Sequence, residues 1–167
     1  MPYRAFSCAS QTATVWSKTR PQIDSQGPVL DHLTHINPPT LSDSLAVGYS
    51  QIIVAKPGRL VFVAGQVGWD TNSELVGDAS FATQARKAID NVRVALEEVG
   101  ATGNDVTHVK YFVVGLTEDR VEELITALGE AKVFDHERPP TGTLVGVEKL
   151  AREQLLIEIE VIAVLPD

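Results

Sequence analysis

Two apolar runs set the tightest limit on how this chain can fold. Leu60-Val-Phe-Val63 and Tyr111-Phe-Val-Val114 lack the apolar-polar alternation of a strand with one wet face. Successive strand residues point to opposite faces, so a strand apolar at every position needs cover on both sides. Only two segments carry helical periodicity. Phe81, Ala85, Ala88, Ile89, Val92, Leu96 and Val99 share one helical face, and Gly100 stands where a helix ends. A second helix begins near Thr117, with Glu118 and Asp119 in its first turn, where they favour the helix dipole. Its apolar side is Val121, Leu124, Ile125 and Leu128. Two helices cover one face of a sheet. The other face must meet another subunit, or remain as a patch that a monomer does not tolerate.

The remaining segments supply the strands. Asn37-Pro-Pro-Thr40 reads as a turn and Tyr49–Ala55 as a strand. Lys56-Pro-Gly-Arg59 has turn chemistry before the strand Leu60–Ala64, which predicts a hairpin. Residues Trp69 to Gly77 are polar and glycine-bearing, a loop. Gly103-Asn-Asp105 turns the chain into the strand Val106–Val114. Pro139 and Pro140 break it before the strands Thr141–Val147 and Leu155–Val164. Strands and hairpins interleaved with two helices predict an α+β domain rather than a doubly wound parallel sheet.

Composition narrows the function. A chain of 167 residues suits one domain with an arm, divided here as an N-terminal extension, 1–35, and a domain, 36–167. A net charge of −8 argues against broad nucleic-acid or anionic-membrane binding, which need a basic footprint. No apolar run approaches the ~20 residues of a membrane helix. Cys8 is the single cysteine, and His32, His35, His108 and His136 are scattered without zinc spacing. A reducing, cytoplasmic setting fits best. The first 35 residues are rich in Ser, Thr and Gln, with no acid before Asp24, a composition shared with organellar transit peptides. An added arm, or a start codon placed too early, is the favoured reading. Val15-Trp-Ser17 and Pro28-Val-Leu30 are its candidate docking points.

Five motifs in order point further: Gly48-Tyr-Ser-Gln51; Gly65-Gln66; Gln84 with Asn91; Arg138-Pro-Pro-Thr-Gly-Thr-Leu-Val-Gly-Val147; and Ile157-Glu-Ile-Glu160. Together they resemble the RidA/YjgF family, the small trimeric imine and enamine deaminases also known as L-PSP endoribonucleases. The resemblance implies a chorismate-mutase-like α+β fold, with an about six-stranded mixed sheet and two helices on one face. It implies a homotrimer with a barrel-like centre and small-molecule clefts between subunits. The family chemistry hydrolyses 2-aminoacrylate-like enamines and imines to keto acids and ammonia, with no metal or organic cofactor.

Carried over residue by residue, the resemblance makes Glu158 the candidate catalytic acid, positioning or activating water. Alternation puts Glu158 and Glu160 on one face of their strand and Ile157, Ile159 and Val161 on the helix side. A solvated polar strand face is the competing reading of that pair. Tyr49 matches a tyrosine that borders the cleft from another subunit; ordinary strand packing is its plain alternative. Gly65 matches a glycine whose backbone approaches the ligand, or else marks a bulge. Ala64 stands where many relatives have serine, and Leu144 replaces a small or sulfur-bearing wall residue. Glu123 falls near a family asparagine, though a solvated helix face explains it better.

The decisive departure is Gly142, at the position of the arginine that grips the substrate carboxylate. A bidentate guanidinium–carboxylate pair is strong, oriented recognition, and glycine removes it. Backbone donors around Gly142 and Thr143 are left to hold a ligand, and neither Lys149 nor Arg152 is aimed at the cleft by anything in the sequence. The expected activity is therefore a RidA-like hydrolase of altered specificity, poor on 2-aminoacrylate. The alternative is a trimeric metabolite-binding or regulatory protein without turnover, and an endoribonuclease is a remote third, lacking a basic groove.

Overall fold

The computed structural model describes residues 32–167. Six strands and two helices follow in the order β1 (Leu33–Ile36), β2 (Ile52–Ala55), β3 (Arg59–Gln66), α1 (Phe81–Glu98), β4 (Val106–Val114), α2 (Glu118–Ala131), β5 (Thr141–Val147) and β6 (Ile157–Leu165). The candidate docking points at Val15-Trp-Ser17 and Pro28-Val-Leu30 lie outside the described residues.

Four strands form a mixed sheet in the order β3-β6-β4-β5, with β4 and β5 parallel and the other neighbours antiparallel. The remaining two, β1 and β2, pair with each other as a separate antiparallel ribbon. The expected hairpin between β2 and β3 is therefore absent. Val61 and Val63 of β3 instead lie beside Ala163 and Val161 of β6, where all four join the layer under the helices. Burial of that apolar row outweighs the proximity of two strands joined by a turn. The strand read over Tyr49–Ala55 is also shorter, with Tyr49, Ser50 and Gln51 preceding β2.

One sheet face carries the core. Ile157, Ile159, Val161 and Ala163 of β6, with Val109, Tyr111 and Val113 of β4, are buried against Ala85, Ala88, Ile89, Val92 and Leu96 of α1. Leu124 and Ala127 bring α2 into the same cluster. The helix ends follow their sequence signals. Ser80 caps α1 by accepting from the Thr83 amide at 3.3 Å, and Thr117 caps α2 by accepting from the Arg120 amide at 3.3 Å. Gly100 follows the Val99 C-cap at φ 73°, a conformation that costs a side chain and favours glycine.

The opposite face is uncovered within the protomer. Leu60 is 62% exposed and Phe62 72% exposed, both on β3. Beside them stand Glu158, Glu160 and Ile162 of β6, Phe112 of β4 and Val145 of β5. Lys110 meets Glu160 at 3.9 Å, and the His108 ring pairs with the Thr141 hydroxyl at 2.7 Å. No helix among the described residues is long and apolar enough to cross a membrane.

Candidate functional site

Glu158 projects from β6 on the open face, as the alternation predicts, with Phe112 opposite it on β4. Burial first, and the neighbouring Glu160 charge second, push its carboxyl above the usual carboxylate range. Gly65 lies in the irregular stretch where β3 and β6 lose register between Val63 and Gln66. A Cβ built on Gly65 would fall on the Glu158 carboxylate, so this glycine is the space the acid occupies. Both line a cavity of about 490 Å³. Its other walls include Trp69, Asp70, Lys87 and Asn91. The Trp69 indole nitrogen is buried there without a hydrogen-bond partner.

Tyr49, Gly142, Thr143 and Leu144 line a second cavity, of about 430 Å³, between β4, β5 and α2. The parallel register sets Gly142 beside Val109 and Leu144 beside Tyr111, on the helix side of the sheet. A Cβ on Gly142 would rest against Tyr49 Cβ at 3.4 Å, ordinary van der Waals contact. Among the described residues, no Asp, Glu, Lys, Arg or His lines this cavity. Its position depends on a clamp. The buried Ser50 hydroxyl donates to the Pro139 carbonyl at 2.6 Å, its amide donates to the Pro140 carbonyl at 3.0 Å, and the His35 ring joins the hydroxyl at 3.0 Å. These bonds tie the segment bearing Tyr49 to the double proline that starts β5.

The remaining candidates stand apart. Ala64 is exposed on β3, and its carbonyl accepts from the Gln66 side chain at 3.1 Å. Glu123 lies on the exposed side of α2, in a shallow groove with Arg86, Asp119 and Glu122 that belongs to neither cavity. Lys149 and Arg152 are exposed and line neither cavity.

The profile of the family described as Endoribonuclease L-PSP matches residues 42–165, nearly all of the described chain. The chain belongs to this family, also known as RidA/YjgF. A RutC family protein of Pyrococcus abyssi is 33% identical over 117 residues, which cover 69% of this chain and 84% of that protein. A second, from Pyrococcus horikoshii, is 31% identical over 117 residues, covering 69% and 85%. Among solved structures, the Rid family protein YyfB of Yersinia pestis, described as of unknown function, aligns with a TM-score of 0.73 at 32% identity. That alignment covers 80% of this chain and 99% of YyfB.

Two of the motif residues shared with the RidA/YjgF family prove to be framework. Gln84 is fully buried; its amide donates to the Ala79 and Gln154 carbonyls at 3.0 and 2.9 Å and accepts from the Leu156 amide at 2.9 Å. Asn91 donates to the Val67 and Trp69 carbonyls at 2.9 and 3.0 Å. They fasten α1 to the loops at either side of the Glu158 cavity. Lys87, three residues after Gln84 and four before Asn91, was not singled out by sequence. Its i, i+3, i+7 placement with those two was the available signal.

Proposed function

We propose that this protein is a RidA-like hydrolase of the imine or enamine deaminase type with altered specificity, acting in clefts between the subunits of a homotrimer. The division of the candidate residues between two cavities of one protomer carries the proposal. Glu158 and Gly65 form one partial site, while Tyr49, Gly142, Thr143 and Leu144 form the other. A cleft assembled from one of each, across a subunit boundary, unites an acid with a ligand wall. The exposed Leu60 and Phe62 support association through the open sheet face, since apolar side chains grouped there gain by leaving water.

In such a cleft Glu158 accepts a proton from water as the water oxygen bonds to the imine carbon. The C=N π electrons move to nitrogen, which takes that proton back from Glu158 to give the amino-alcohol adduct. Glu158 then takes the adduct's hydroxyl proton and passes it to the nitrogen, so that the carbonyl forms as the C–N bond breaks and ammonia leaves. A carboxyl held above the usual carboxylate range suits both transfers better than an ordinary one. Gly142 supplies no counter-charge for a carboxylate, so the favoured substrate is a neutral imine. A ligand-binding protein without turnover would share the uncharged cavity but would have no use for the raised Glu158.

Kinetics on a neutral imine test this reading. The base form of Glu158 must be ionised, so kcat/KM should rise with pH through a midpoint above the ordinary glutamate value of 4.5. Glu158→Gln should lower kcat by about 10²–10⁴-fold and abolish that acidic limb. An unchanged profile in the variant would remove Glu158 from the mechanism.

A further inference from the structure

We infer that the Gly142 cavity recognises an uncharged, largely apolar ligand carrying one hydrogen-bond acceptor, an aryl or branched alkyl carbonyl or imine, and that Tyr111 donates to that acceptor. The inference deepens the hydrolase proposal, because this cavity is the ligand wall on which that proposal relies.

Charge is the first argument. Val109 and Tyr111 of β4 and Val121, Leu124, Ile125 and Leu128 of α2 make the walls, joined by the Tyr49 and Gly142 side already described. A carboxylate entering here would leave water and find no cation. The desolvation cost of an unpaired ion in an apolar site is large, whereas a neutral ligand of the same shape pays none of it.

Tyr111 is the second argument. Its residue is 9% exposed and lies in the core cluster while also lining the cavity. Among the described residues, no side chain or backbone group forms a hydrogen bond with its hydroxyl, which sits at a wall of the cavity. Burial alone pushes the phenol far up, so it stays protonated and keeps a proton to donate. A phenol O–H that lines the cavity and spends no bond on the protein is available to a carbonyl oxygen or imine nitrogen there. Size is the third argument: about 430 Å³ lies in the ~300–1,000 Å³ range of small-ligand sites.

Acetophenone, benzoate and ethylbenzene are suitable probes, since they share a ring and differ in acceptor and charge. Their affinities for the full chain can be measured by protein-observed NMR titration. Acetophenone should bind about tenfold or more tighter than benzoate, with shifts centred on Tyr111 and Leu124. Tyr111→Phe should weaken acetophenone about fivefold to tenfold and leave ethylbenzene unchanged. Benzoate binding as tightly as acetophenone, equal acetophenone affinity in the variant, or no binding of any probe would each overturn the inference. Acetophenone binding at Tyr111 without imine turnover would sink the hydrolase proposal and leave this site standing. Turnover of neutral imines with no acetophenone site would do the reverse.

Discussion

At the scale of single residues, two glycines carry most of the functional meaning, for opposite reasons. Gly65 makes room for an acid, because any Cβ there would fall on the Glu158 carboxylate. On the proposed function Gly142 stands where a cation is missing, and its own neighbourhood tolerates a side chain: the nearest atom to an added Cβ is 3.4 Å away. Gly142→Arg should therefore fold and place a guanidinium at the wall shared with Tyr49. With charge-assisted bonds of about 1.5–3 kcal/mol, the variant should gain about tenfold or more in 2-aminoacrylate hydrolysis. A coupled ammonia-release assay checks it. No gain would mean that Leu144 and Ala64 have also reshaped the cleft. Both glycines were singled out in sequence, Gly142 through the family pattern and Gly65 as a backbone approach to a ligand or else a bulge. The irregularity between Val63 and Gln66 fits the bulge, and the Glu158 carboxylate at Gly65 was not foreseen, since it depends on the register between β3 and β6.

At the scale of elements, local signals were legible and long-range pairings were not. α1 and α2 announced themselves through periodicity, through Gly100 and through Thr117 with its acidic first turn. β4 and β5 matched their expected bounds. The ribbon of β1 and β2 escaped because Leu33-Thr-His-Ile36 is too short to show a period, and because the turn at Lys56–Arg59 suggested a nearer partner. Gln84 shows how an element is tied down once formed. Its side chain satisfies three backbone groups from two loops, so Gln84→Ala would strand the buried Leu156 amide and open a cavity. The expected loss is about 3 kcal/mol in chemical denaturation, with loosened α1 and a disturbed Glu158 cavity. Gln84→Glu should lose at least as much, because it sets a carboxylate against the Ala79 and Gln154 carbonyls in a fully buried site.

At the scale of the whole molecule, the decisive feature is a sheet with one covered face. The doubly apolar strands call for cover on both faces, and Leu60, Phe62, Ile162 and Phe112 are the apolar side chains that stand on the open one. Phe62→Glu places a charge in the middle of that surface. It should shift the protein from the proposed trimer to monomer by light scattering after size exclusion, with little change in the helical circular dichroism signal. On the proposed function catalysis should fall with it, because neither cavity of one chain holds both Glu158 and the Gly142 wall. Lys87 belongs to this scale too. A lysine on a helix reads as solvated surface until the fold sets it in the cavity of Glu158.

On the proposed function, a working hydrolase has exchanged recognition of an anion for recognition of a neutral ligand. Side-by-side steady-state assays of 2-imino acids and uncharged imines test it most directly, with an arginine-bearing RidA relative as control. Turnover of uncharged imines is expected, together with 2-imino acid hydrolysis far below the control. Hydrolysis of 2-imino acids at the control's rate would contradict it, because some other cation would then be doing the work of the missing arginine.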